Sequence, residues 1–236
     1  KIVDLNRSNY ELEQFAHIAS HDLQEPLRKI FYNSDVLQKR YGNDLEPGAQ
    51  RLLLGMSAAA ARMKELINDL LAYSQLNQQA MTMEEISLNE VIDSVLKDFE
   101  PTIADKNATI NVGLMPRIFG NFNRIRQLFS NLISNSLKYV KAETSPVIDI
   151  SAVSSDGHVL VCVRDNGIGF ATEYKERIFG LFERLHTRNE FPGTGIGLAI
   201  CKRIVEMHNG TIIADSILGE YANFEITLPT EPISLE

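Results

Sequence analysis

The chain has 236 residues, 44% of them hydrophobic, which is ordinary for a protein that buries a core and excludes disorder as an overall description. Its net charge of -8 argues against broad electrostatic binding to nucleic acid or to an anionic membrane, both of which favour clustered Lys and Arg. Two cysteines, Cys162 and Cys201, lie in apolar segments without disulfide-framework or zinc spacing, so both are expected in the core, in a reducing compartment.

In chain order, apolar residues from Leu5 through Leu12, Phe15, Ala16, Ala19, Leu23, Leu27, Ile30 and Leu37 recur at intervals of three and four, predicting one long amphipathic helix. The break "RYGNDLEPG" follows, with Pro47 placed to open a second helix. That helix carries a seam of Leu52, Met56, Ala59, Met63, Leu66, Leu70 and Tyr73, in alternating steps of four and three. The two helices predict a hairpin, residues 1–80. Its seams call for pairing with a second copy into a dimeric four-helix bundle, the alternative being packing on the second half of the chain.

Residues 81–236 change texture. "SLNEVIDSVLKDFEPTIADK" reads as a helix, "ATINVGL" as a strand and "NRIRQLFSNLISNSLKYV" as a strong helix. "VIDISAVSS" and "HVLVCVRDN" read as strands joined at Asp156-Gly157. A helix through "GIGLAICKRIVEMHNG" is expected to stop at Gly210, and "TIIADSI" and "NFEITLP" to close the sheet. The fold class is thus a helical hairpin followed by an α+β sandwich with helices on one sheet face.

Two glycine motifs suggest phosphate chemistry. "DNGIGF" (Asp165 to Phe170) leaves an apolar strand, and "GTGIGLAI" opens into an apolar helix. The second is neither a Rossmann fingerprint, since a polar stretch precedes it, nor a Walker loop, since it lacks Lys-Ser/Thr. Asn131 and Asn135 share one helix face, with Lys138 one turn on. An amide oxygen can coordinate magnesium and a lysine can neutralise phosphate. In "IASHDLQEPLRKI", His21 projects about 180° from the centre of the apolar stripe at ~100° per residue, so it faces outward, with His17 within about 40° of it. Pro26 removes a helix hydrogen bond to Asp22 and should bend the helix.

The ordered set "SHDLQEP", "NLISNSLKY", "DNGIGF", "RIFGLFERL" and "FPGTGIGLAI" resembles the sensor histidine kinases of two-component signalling, over nearly the whole chain. "HDLQEPLR" is similar to the phosphoacceptor box of kinases attached to PAS, GAF or phytochrome-like sensors. The resemblance implies ATP-dependent phosphorylation of His21, assisted by Asp22, and phosphotransfer to a response-regulator receiver domain by a homodimer. An upstream sensor module in the same polypeptide is implied too. By the same resemblance Asn135 binds Mg²⁺ on the phosphates of ATP, and Asn131, Lys138 and Tyr139 border the nucleotide. Asp165 accepts from the adenine amine, with Gly167 and Gly169 shaping that pocket, and Phe179 and Phe182 anchor a lid over residues 171–192. Arg184 reaches the γ-phosphate and Gly193, Thr194, Gly195 and Gly197 close over the phosphates.

Glu25 stands four residues after the histidine, where dephosphorylating kinases of the commonest bundle type usually carry Thr or Asn, so phosphatase activity is not implied. "LGEYANFEITLP" departs from the family's glycine-threonine pattern, and His186 and His208 are expected on the surface. Competing functions are an ATP hydrolase of the same nucleotide-binding superfamily, which would need a glutamate base near Asn131, and an inactive dimeric scaffold. With no apolar run of about 20 residues, this segment is expected in the cytoplasm, while a chain that begins inside a helical pattern is expected to continue upstream, where a membrane anchor could lie.

Overall fold

The computed structural model describes residues 24–42, 44–76, 81–187 and 190–232, in two compact units, Lys1–Gln79 and Ala80–Glu236. Of the N-terminal stripe, Leu5 through Leu23 lie outside the described residues, as do His17, His21 and Asp22.

In the first unit, α1 (24–41) runs antiparallel in sequence order to α2 (Pro47–Gln75) as the two arms of the expected hairpin. Pro47 occupies the first turn of α2, where the missing N–H has no intrahelical partner to lose. The connection is held by Gln50, whose side-chain amide donates to the carbonyls of Gly42 and Leu45. Gln24 Nε2 donates to Asn68 Oδ1 at 3.2 Å, one polar tie from α1 to α2.

The apolar contact between the helices differs from the expected seam. Leu27 packs with Ala60, Ile67 and Leu71, and the buried positions of α2 are Leu53, Ala60, Ile67 and Ser74, in steps of seven. Leu52, Met56 and Met63 of the expected seam are instead 72%, 56% and 43% exposed, and Ile30 and Leu37 of α1 are exposed as well. The reason is that α2 carries two apolar stripes side by side, about 100° apart. The one with small Ala60 and Ser74 lets α1 come close, leaving the Leu-Met stripe uncovered.

The second unit begins with β1 (Glu84–Ser87) and α3 (Leu88–Asp105), whose first turn is capped by Ser87 accepting from the Glu90 amide. β2 (Thr109–Val112), β3 (Arg117–Gly120), α4 (Phe122–Lys138), β4 (Val147–Ser155) and β5 (His158–Asp165) follow. After two 3₁₀ turns come α5 (Gly197–Met207), β6 (Thr211–Ile217) and β7 (Tyr221–Pro229). A mixed sheet has the order β2-β4-β5-β7-β6, with β2 parallel to β4 and the other pairs antiparallel. β1 pairs with β3 in a separate ribbon that sequence pattern does not signal, because "EEIS" and "RIFG" are too short for alternation to register.

The sheet is covered on one face. Val159, Val161 and Val163 of β5 and Phe224, Ile226 and Leu228 of β7 point into the core, with the apolar faces of α3, α4 and α5. Between β4 and β5, Asp156 and Gly157 both have positive φ, 48° and 76°, the twist a two-residue hairpin requires. Cys201 is buried in the core as expected, but Cys162 is only half-buried, since it faces the side of the sheet opposite Val161 and Val163.

Two expectations at the end of α5 are corrected. The left-handed residue is Asn209 (φ 54°), not Gly210: the Asn209 amide donates to Glu206 O at 3.0 Å and the Gly210 amide to Val205 O at 2.9 Å. Gly210 is needed for another reason, since a Cβ there would strike the Thr227 carbonyl. His208 is fully buried, not on the surface. Its Nε2 accepts from the Asn121 amide at 3.0 Å, which fixes the proton on Nδ1, and Nδ1 donates to Ile204 O at 2.7 Å. The ring thereby clips the end of α5 to the N-cap of α4.

Burial, with Arg124 nearby, holds His208 below its ordinary value of 6.5. The unfolded chain therefore takes up a proton below about pH 6.5 that the folded unit refuses, and stability is lost as pH falls through that window. Thermal unfolding between pH 7.5 and 5 should show a falling midpoint, and the His208→Asn variant, though less stable, should lose this component of the slope.

Candidate functional site

The site grows from one face of α4 and the loops that meet it. Asn121 caps the helix, its side chain accepting from the Arg124 amide at 3.1 Å. The apolar face (Ile125, Leu128, Phe129, Leu132, Ile133) is buried, which leaves Asn131, Asn135 and Lys138 half-buried along one side. Asn131 Nδ2 donates to the carbonyl of Gly197, the first residue of α5, at 3.2 Å. Lys138 Nζ lies 4.2 Å from the centroid of the Tyr139 ring and 2.8 Å from where a Cβ on Gly193 would sit. The structure thus brings the α4 residues beside the second glycine motif, as the sequence order alone does not require.

Asp165 ends the inward-facing row of β5, following Val159, Val161 and Val163, and is buried. Its Oδ1 accepts from the Gly167 amide and its Oδ2 from the Ser136 hydroxyl, each at 2.9 Å, and the backbone of Ala222 donates as well. Burial pushes its carboxyl above the ordinary aspartate value, and these donors pull it part of the way back. Ser136 is the partner that motif reading missed; its place next to Asn135, facing inward, is the signal that could have found it.

The loop after Asp165 is sewn to both neighbours. The Ile168 amide donates to Tyr139 O at 2.9 Å, the Phe170 amide to Ser216 Oγ at 2.8 Å, and Ser216 Oγ in turn donates to Tyr221 O at 2.6 Å. Gly169 has φ 57°, and a Cβ there would strike the Ile217 carbonyl and lie 2.7 Å from Tyr221 O. The strand end is also braced on β7, where Arg164 stacks 3.9 Å from the Tyr221 ring centroid and the Tyr221 hydroxyl donates to Asp215 at 2.9 Å.

Across the site, Arg184 donates to the carbonyls of Gly193 and Phe191, so its guanidinium is held on the main chain of the loop. Gly195 has φ 78°, and a Cβ there would lie 2.8 Å from Glu183 O. Thr194 Oγ1 accepts from the Ile196 amide at 3.4 Å. Phe191 packs on Tyr139 (centroids 5.0 Å) and on His186 (5.4 Å), so His186 is half-buried in an aromatic group and not simply on the surface. Of the two phenylalanines expected to anchor the lid, Phe179 is buried against Phe224, edge to face at 6.4 Å. Phe182, with φ 63°, is exposed. α5 starts at Gly197 without a side-chain cap, presenting first-turn amides beside Asn131.

The donor set suits a nucleoside triphosphate: main-chain amides and a lysine for phosphate, and a buried carboxylate for a base amine. Among the described residues no three His, Cys, Asp or Glu side chains cluster to hold a metal; the half-buried Asn135 carries an amide oxygen, a donor type that suits a divalent ion without adding charge.

Residues 11–79 match the family described as His Kinase A (phospho-acceptor) domain, and residues 120–232 the histidine kinase-, DNA gyrase B- and HSP90-like ATPases. Cyanobacterial phytochrome A of Nostoc sp. is 41% identical over 96% of this chain, and sensor histidine kinase RcsC of Escherichia coli 30% identical over 91%. The chain spans 29% and 23% of the lengths of those two relatives. The crystal structure of full-length ShkA in complex with AMPPNP is alike in fold, with a TM-score of 0.71 over 94% of this chain and 46% of that one, at 22% identity. Among the described residues no helix is long and apolar enough to cross a membrane.

Replacing Gly169 by Ala puts a side chain into a left-handed backbone against two carbonyls. The Gly169→Ala variant should lose about 2 kcal/mol or more in urea unfolding, whereas Gly157→Ala, at a turn with open space around it, should lose only about 1 kcal/mol.

Proposed function

The chain belongs to the sensor histidine kinases of two-component signalling, and from that premise we propose that it transfers the γ-phosphoryl group of ATP to His21 and thence to an aspartate of a response-regulator receiver domain. The observation that carries this reading is the meeting of Asn131 and Lys138 on α4 with Gly197 and Gly193, on the helix whose Ser136 holds the buried carboxylate of Asp165. A neutral imidazole has one nitrogen lone pair free; attack on the γ-phosphorus forms the N–P bond, breaks the bond to the β,γ-bridging oxygen and releases ADP. Asp22, taking the other ring N–H, sets the tautomer and steadies the positive charge that develops. Such transfers ask mainly for positioning and charge neutralisation.

Each residue has a part. Asp165 accepts from the adenine amine, in the pocket that Gly167 and Gly169 form. Tyr139 and Lys138 border the nucleotide, with the Lys138 charge toward phosphate. Asn135 would hold Mg²⁺, which would supply charge neutralisation at the phosphates. Asn131 positions the start of α5 through Gly197. Gly193, Thr194 and Gly195 close over the phosphates, and Arg184 leaves its two carbonyl partners to reach the γ-phosphate. Asn131 has no basic group, so it cannot activate water as a hydrolase glutamate would. Glu25, four residues after the histidine, pairs with Lys29 at 3.0 Å on the surface of α1.

The hairpin functions as a homodimer. A second copy covers the uncovered stripe of Leu52, Met56 and Met63, giving a four-helix bundle onto which the receiver domain docks near His21. The upstream part of the polypeptide carries the sensor module, consistent with the small share of its relatives that this chain spans.

With labelled ATP and Mg²⁺, the protein should acquire acid-labile, base-stable label. His21→Ala should acquire none, and Asn135→Ala should slow labelling by at least about a hundredfold. Released phosphate without label on the protein would sink the reading in favour of hydrolysis. Met56→Asp with Met63→Asp should convert a dimer to a monomer in sedimentation equilibrium while leaving the ATPase-type domain folded by circular dichroism.

A further inference from the structure

The hydroxyl of Ser136 has no part in the reading above. It is 1% exposed, next in sequence to Asn135, and it aims at the carboxylate of Asp165. A serine within a helix commonly turns its hydroxyl back to the carbonyl four residues earlier. Here it donates out of α4 to Asp165 Oδ2 on β5 at 2.9 Å, between two buried side chains.

The other donors to that carboxylate are the Gly167 amide, at Oδ1, and the backbone of Ala222 on β7. A carboxylate offers about four lone-pair sites. Three donors from three different elements leave about one, and with both oxygens engaged the carboxylate cannot rotate freely about its own bond.

Resting on the assignment of Asp165 to the nucleobase, we propose that Ser136 is a positioning residue for base selection: it locks the Asp165 carboxylate so that one acceptor site faces the exocyclic amine of a 6-aminopurine. A 6-oxopurine would set a carbonyl oxygen against that same acceptor, and an unsubstituted purine would leave it without a donor. Both lose by desolvating the carboxylate without return. Ser136 also favours the ionised form, since its donor serves the charged carboxylate. The ionisation of Asp165 is set by burial and by the donors Ser136 from α4, Gly167 from the loop and Ala222 from β7.

The test compares binding of ATP and of purine riboside triphosphate, which lacks the amine, to the 236-residue chain from pH 8 to 5 by equilibrium titration without Mg²⁺. In Ser136→Ala the preference for ATP over purine riboside triphosphate should fall about tenfold, the worth of a hydrogen bond to a charged group. The acid limb of ATP binding should move to higher pH, because a donor that stabilises the carboxylate is gone. Ser136→Thr, which keeps the hydroxyl, should retain both the preference and the acid limb. Equal weakening of both nucleotides in Ser136→Ala, with an unmoved acid limb, would mark a purely structural role and overturn the proposal. Asp165→Asn should abolish the preference. If it does so while Ser136→Ala keeps the wild-type preference, the proposal alone falls; if Asp165→Asn keeps the preference, the adenine assignment falls with it.

Discussion

A carboxylate at the buried end of an apolar strand is the constraint around which the second unit is arranged. Asp165 takes the next inward position after Val159, Val161 and Val163, so the pleat of β5 drives it into the core whether or not the core can solvate it. The remedy comes from α4 through Ser136, from the following loop through Gly167, and from β7 through Ala222. Each donor also fixes the element that bears it.

The same economy of main-chain groups holds the glycine loops. Gly169 lies where no side chain fits between Ile217 and Tyr221, and Ser216 links the Phe170 amide to the β6–β7 connection. On the opposite side, Arg184 rests on the carbonyls of Gly193 and Phe191, and the aromatic group of Tyr139, His186 and Phe191 seats the loop against the end of α4. A cation held by neutral carbonyls exchanges readily for a phosphate, since an anionic partner gives the stronger charge-assisted hydrogen bonds.

The hairpin solves a different problem. Two apolar stripes on α2 cannot both face α1, and the stripe with the smaller side chains wins because helix approach is limited by the bulk at the contact. The larger residues remain outside, where a second copy can bury them. The expected seam is a true apolar stripe, and α1 packs on the stripe beside it. Periodicity reports that a face is apolar and is silent about which of two partners covers it.

Most elements were legible from pattern: Pro47 opened α2, Asp156-Gly157 turned the hairpin, and the alternation of β4 and β5 came through because eight or nine residues let a period of two stand out. The ribbon of β1 and β3 did not, since four-residue strands draw their stability from pairing with a distant partner. His208 was misplaced because a polar ring at the end of a helix is ordinarily solvated, and only the docking of α5 beside the Asn121 amide gives it a reason to be buried. The sequence by itself determined the order of motifs, and with it the kinase family, because residue types at helix and strand spacing are local properties of the chain. Only the tertiary structure decided that Ser136, and not a charged neighbour, steadies Asp165, and which face of α2 meets α1, because both depend on contacts between residues far apart in sequence.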